Sequence, residues 1–271
     1  MRLSEAGELG LLAELERRGL ASRIADDAAQ LADGVVVTQD ALVENVHFRL
    51  DRISWRDLGF RAAAVNLSDL AASGAMPEAL IVTLCAPPQT AVEDVVELYE
   101  GLTETGVPIR GGDTTAADRL VLSVTAIGRA ERVPGRGGAR PGDRIVVTGP
   151  LGAAGAAFRR GRYVRPPIRL EEGRRLASRA HAMIDVSDGL SRDAGHVARR
   201  SGCRVVIELE RVPLAPGAEL GDVGFGEDYE LLAAVEDPDG FAEIGRCERG
   251  SGVVLLHHGE QLALDSWEHF R

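Results

Sequence analysis

The chain has 271 residues, 45% of them hydrophobic and 27% charged, and its 31 basic against 42 acidic side chains give a formal net charge of -11. That length favours two cores over one; the negative balance excludes a non-specific grip on nucleic acid, which needs clustered cations; and the longest apolar run, residues 79–86, is too short to span a bilayer. All 31 basic residues are Arg and none is Lys, which excludes a Walker A lysine, the strand lysine of protein kinases and Schiff-base catalysis.

Residues 1–18 set Glu5, Glu8 and Glu14 among leucines at helical spacing, a pattern foreign to a secretory or transit peptide, so the protein is expected to stay in the cytoplasm. A strand is predicted over 34–38. Ser54 followed by Asp57 resembles a capping box and predicts a helix over 55–72, and Thr90 followed by Glu93 predicts another over 91–105. Runs rich in Val, Ile and Leu predict strands over 79–84, 120–127, 144–147, 205–209, 229–235 and 253–257. Residues 131–143, crowded with Gly, Arg and Pro, break both periodicities and are read as a linker, dividing the chain into domains 1–133 and 134–271. Cys85, Cys203 and Cys247 are odd in number and form no C-x-x-C pair, so they are expected inside cores and not in disulfides or a zinc site.

The aspartates follow a pattern of their own. Asp26 and Asp27 precede an apolar run, Asp40 follows GVVVTQ, Asp69 lies in AVNLSDLAASGA, Asp113 in RGGDTT, and Asp185 and Asp188 in MIDVSDGL. Most stand near the ends of apolar segments beside small residues, where mixed α/β architectures gather ligands. A single Asp of this kind is a turn or cap residue; seven carboxylates drawn together repel one another unless cations sit between them. Magnesium suits such a set, because it takes oxygen ligands, keeps water and is shared with phosphates. Residues 110–115, RGGDTT, combine close backbone approach with a carboxylate and two hydroxyls, as a junction of metal and phosphate requires. TGPLGAAG at 148–155 opens a small-residue helix, and fits an anion cradle and a closely packed turn equally well.

Taken together the motifs resemble the thiamine-monophosphate kinase family, of the superfamily that includes aminoimidazole ribonucleotide synthetase and selenophosphate synthetase, over essentially the whole chain. ADDAA at 25–29 is similar to the family's GDDAA, TQDALVENVHF at 38–48 to S-T-D-x-L-V-E-x-x-H-F, and AVNLSDLAASGAMP at 64–77 to A-x-N-L-S-D-x-A-A-M-G-A-x-P. GGDTT at 111–115, RPP-x-R at 165–169, DVSDGL at 185–190 and GEDYEL at 226–231 complete the series.

The resemblance implies an α+β fold of two domains, in the aminoimidazole ribonucleotide synthetase-like architecture: an N-terminal sheet domain that pairs in a homodimer, and a C-terminal α/β sandwich. It implies direct, in-line transfer of a phosphoryl group from ATP to thiamine monophosphate, assisted by several magnesium ions. By position, Asp27, Thr38, Gln39, Asp40, Asp69, Asp113, Asp185 and Asp188 correspond to metal ligands; Gly112, Asp113, Arg136 and Ser187 to ATP contacts; and His47, Glu227 and Trp267 to thiamine-phosphate contacts. No general base is implied, since the accepting phosphate oxygen is already anionic and positioning with electrostatics carries such a transfer. An indole face suits a cationic thiazolium, and Trp267 serves equally as an anchor for the tail. Ala25 stands where the family has Gly, Gln39 where it commonly has a metal-ligating Thr, and Phe225 where a second Gly often precedes GED, and the loops after Tyr163 and around Leu220 are trimmed. The alternatives are a superfamily enzyme with another acceptor and an inactive nucleotide and metal binder.

Overall fold

The computed structural model describes residues 2–22, 24, 26–264 and 266. The first sheet contains β1 (Ala29–Gln30), β2 (Val35–Val43), β3 (Met76–Ala86), β4 (Ile109–Ala116) and β5 (Val121–Arg129), in the spatial order β1-β2-β5-β3-β4. Only β3 and β4 pair in parallel among these strands. Alternation gives the sheet two unlike faces: Leu122, Val124 and Ala126 of β5 and Leu80, Val82 and Leu84 of β3 are buried, while Ile81 is 38% exposed on the other side.

The buried face is covered by α2 (Trp55–Ala72) and α3 (Val92–Thr103). Helix α2 begins where Ser54 accepts the Asp57 amide at 3.1 Å, the cap expected from its sequence. The two helices touch backbone to backbone: a Cβ on Gly59 would lie 1.8 Å from the Leu98 carbonyl oxygen, and one on Gly101 1.9 Å from that of Arg56. Thirteen of the residues of α2 are buried, as for a helix enclosed on all sides. Its first half packs in the first domain, and Ala71 and Ala72 at its end join Val146, Met183, Leu231 and Leu176 of the second.

The second sheet contains β6 (Arg144–Val147), β7 (Ala182–Asp185), β8 (Arg204–Glu208), β9 (Leu231–Val235), β10 (Ala242–Glu248), β11 (Gly252–His257) and β12 (Glu260–Gln261), ordered β12-β11-β8-β10-β6-β9-β7. Strands β8 and β11 are parallel and the other neighbours antiparallel. Every residue of β9 is buried, because both faces are covered. Leu232 and Ala234 meet Val197 of α6 (Leu190–Ser201), whereas Leu231, Ala233 and Val235 meet Leu176 of α5 (Leu170–Ala177) and the end of α2. The remaining helices are α1 (Leu3–Arg17), which has no buried residue, and α4 (Ala153–Arg159).

All seven predicted strands and both predicted helices lie within or overlap an observed element of the same type, and residues 131–143, which hold neither helix nor strand, separate the two sheets. Strands β4, β7 and β10 lie outside the predicted runs; in β4, RGGDTT pairs along β3 through main-chain bonds that need no apolar side chains. Strand β9 starts at Leu231 and not at residue 229, because Tyr229 has a left-handed φ of 51°. Cys203 and Cys247 are buried and Cys85 is partly buried, and all three are free.

Candidate active site

Helix α2 wedges between the sheets and delivers Asp69 to the C-terminal end of β7, where Asp185 is the last strand residue. Asp27 reaches the same point from the turn before β1, and carboxylate oxygens of Asp27, Asp69 and Asp185 all lie within 4.8 Å of one another. Alternation along β2 turns Thr38 and Asp40 toward α2: the Thr38 hydroxyl donates to Asp69 Oδ2 at 2.5 Å, and the Asp40 amide donates to Asn66 Oδ1 at 3.0 Å. Ser68 Oγ donates to Asp185 Oδ2 at 2.7 Å. Arg136, from the segment between the sheets, donates through Nη2 to Asp27 Oδ1 at 2.6 Å, while its amide donates to Asp26. The cluster lines a cavity of about 880 Å³ that also receives Ser187, Asp188, His47 and Glu227.

Burial and mutual repulsion dominate the electrostatics. Burial, reinforced by the charge of Asp27, pushes Asp185 up to about 8. Asp69 is held well above the usual carboxylate range by burial and then by Asp40, Asp185 and Asp27. Burial also raises Asp27, against the opposing pull of Arg136. Three carboxyls that resist ionisation meet at one point with oxygen as their only donor atom, a grouping with the geometry and donor type that could hold a hard cation.

The other expected site residues are placed in several ways. Gln39 lines the same cavity, although its side-chain amide donates to Ser123 Oγ at 3.0 Å on the opposite face of β2. Gly112 and Asp113 are exposed on the edge strand β4, with β5 and β3 between them and β2. Asp188 lies at the cavity, where its amide donates to the buried Asp193 at 3.1 Å and its carboxylate pairs with Arg192 at 3.1 Å. Trp267 and Ala25 lie outside the described residues.

The loop 148–155 resolves in favour of the turn. Asp228 Oδ2 accepts the Gly152 amide at 2.7 Å, and Asp228 also takes hydrogen bonds from the Ala153 and Ala154 amides, so the start of α4 already holds a carboxylate from the protein itself. Burial nonetheless raises Asp228 to about 6. Asp228→Ala is expected to lower unfolding stability by about 1–3 kcal/mol, read from the urea midpoint. Two of the motifs also meet: Arg169 of RPPIR makes a two-pronged contact with the buried Glu230 of GEDYEL, at 2.6 and 2.7 Å.

Sequence reasoning missed Asn66, Ser68, Arg61 and Asp193. The first three were visible as polar residues in a largely apolar and small-residue stretch of one helix: Asn66 and Ser68 are 0% and 1% exposed and Arg61 4%. Asp193 gave no such signal, since its role depends on the turn at Asp188 folding back on α6.

Residues 25–130 match the family model of the AIR synthase related protein, N-terminal domain, and residues 140–257 that of its C-terminal domain. Thiamine-monophosphate kinase of Aquifex aeolicus is 32% identical over 310 aligned positions, covering 100% of both chains. The chain belongs to the thiamine-monophosphate kinase family. The family's member from Methanopyrus kandleri is 36% identical over 86% of this chain and 85% of its own. Among solved structures, AaThiL complexed with AMPPCP and TMP superposes with a TM-score of 0.91 at 31% identity over 99% of both chains. Hydrogenase maturation protein HypE in complex with ATP, at 18% identity and a TM-score of 0.71, shares the fold. Where the kinase family often carries Gly, Phe225 packs on Phe158 with ring centroids 5.0 Å apart, and both line the cavity.

Proposed function

We propose that this chain transfers the terminal phosphoryl group of ATP to the phosphate of thiamine monophosphate, forming thiamine diphosphate and ADP. The observation that carries the reading is the convergence of Asp27, Asp69 and Asp185 from both domains on one cavity, in a chain of the thiamine-monophosphate kinase family. Asp27, Asp40, Asp69 and Asp185 hold magnesium, with Thr38 and Asp188 beside them. When bound, the cations neutralise the phosphates and let two highly charged groups approach in line. The protein's own residues set the geometry. Thr38 and Ser68 fix the carboxylates of Asp69 and Asp185, and Arg136, which stays charged against burial because Asp27, Asp185 and Asp69 surround it, brings a cation to the nucleotide beside Ser187. His47 and Glu227 contact the acceptor.

Gly112 and Asp113 enter this scheme through a homodimer. The outer face of the first sheet, with Ile81 38% exposed, packs on the same face of a second copy and carries the edge strand β4 into the assembly. Ile81→Arg is expected to leave a folded monomer of reduced activity, measured by light scattering and turnover.

Purified protein incubated with ATP, magnesium and thiamine monophosphate decides the reading. Thiamine diphosphate formed together with ADP supports it. ADP without the diphosphate points to another acceptor, and absence of turnover points to an inactive binder.

A further inference from the structure

We propose that Arg61 is the positioning residue for Glu227, and that the pair acts as a strut setting the distance between the acceptor and the acidic cluster. This rests on the acceptor reading given above. Arg61 lies on α2 with only 5% of its side chain exposed. Its Nη1 donates to the His47 carbonyl oxygen at 2.8 Å, and its Nη2 donates to Glu227 Oε1. One guanidinium thus ties the loop after β2, the central helix and the loop before β9, across the joint between the domains. Its Nε and the Tyr163 hydroxyl are buried without hydrogen-bond partners among the described residues.

The backbone around Glu227 is constrained in the same sense. Glu227 and Tyr229 hold φ values of 59° and 51°, a region that side-chain-bearing residues seldom adopt and that clusters at functional sites. The amides of Glu227 and Tyr229 donate to the carbonyls of Ser187 and Val186 at 2.8 and 2.9 Å, immediately after Asp185. The loop backbone is thereby fixed to the strand that bears Asp185, and the Glu227 side chain to the helix that bears Asp69. Glu227 keeps 33% of its side chain exposed and lines the cavity, so it meets a cationic acceptor from a fixed position. A guanidinium fork orients a carboxylate in a way that a lysine ammonium, a point charge, does not.

Steady-state kinetics on Arg61→Lys, Arg61→Met, Glu227→Gln and the Arg61→Met/Glu227→Gln double variant test this. Arg61→Met and Glu227→Gln should each raise KM for thiamine monophosphate by about 10- to 100-fold and leave KM for ATP unchanged. The double variant should be no worse than the poorer single, the coupling expected of residues acting as a unit. Arg61→Lys keeps the charge and the melting temperature but should still raise KM for the acceptor, and it decides the matter if Arg61→Met does not fold. Unchanged acceptor KM in folded Arg61→Lys, or strictly additive effects in the double variant, overturns the positioning role while wild-type turnover keeps the proposed function standing. Wild-type protein that makes no thiamine diphosphate overturns the proposed function, and this inference with it.

Discussion

Asp185→Asn should lower kcat by about 10³-fold or more while making the metal-free protein more stable. The two effects share one cause. Asp185 is 2% exposed and sits against Asp27 and Asp69, so its charge is opposed by burial and by its neighbours. An amide of the same shape removes that repulsion and still accepts the Ser68 hydrogen bond, but it leaves the cation one anionic ligand short. At about pH 8 the gain in unfolding stability with chelator present should be on the order of 1 kcal/mol or more. Urea unfolding in chelator and turnover in magnesium test both halves. A variant that is less stable without metal, or that retains wild-type turnover, would show that Asp185 serves the fold and not the cation.

The second large effect is a pH dependence that magnesium reverses. Asp185 is raised to about 8, and Asp69 and Asp27 are raised as well. A carboxyl whose pKa is higher in the folded than in the unfolded protein contributes stability that is complete below the unfolded value, about 4. That contribution is lost as pH climbs through the folded value. Metal-free protein should therefore melt at progressively lower temperature from about pH 5 to about pH 8, on account of this cluster. A cation reverses the preference by favouring the ionised carboxylates. At a concentration of 100 times its dissociation constant it adds about 2.7 kcal/mol, and the rise in melting temperature should be larger at the higher pH. Equal magnesium shifts at both pH values would mean that the carboxyls do not change protonation when the ion binds.

Much of this site was legible because its chemistry is local in the sequence. The Ser54 cap announced α2, and the run that follows carries Asn66, Ser68 and Asp69 on one turn. Alternation along β2 could also have been applied to TQD: it separates Gln39 from Thr38 and Asp40, which family position alone had grouped together. What could not be read were relations between distant segments. Nothing in TGPLGAAG reveals that Asp228, 76 positions away from Gly152, fills the start of α4. Nor does Arg61 disclose a partner 166 residues further on. Strand β4 was hidden for a different reason: its pairing with β3 depends on the backbone, and its glycines and Asp113 carry the composition of a loop.

Asp27, Asp69 and Asp185 are expected to hold divalent cations together. Crystals of the protein grown with manganese in place of magnesium and a non-hydrolysable ATP analogue, measured at the manganese absorption edge, locate those cations. Anomalous peaks within coordination distance of these three carboxylates are the predicted result. Peaks confined to other parts of the surface, or a cluster that stays free of manganese while the nucleotide is bound, would contradict it.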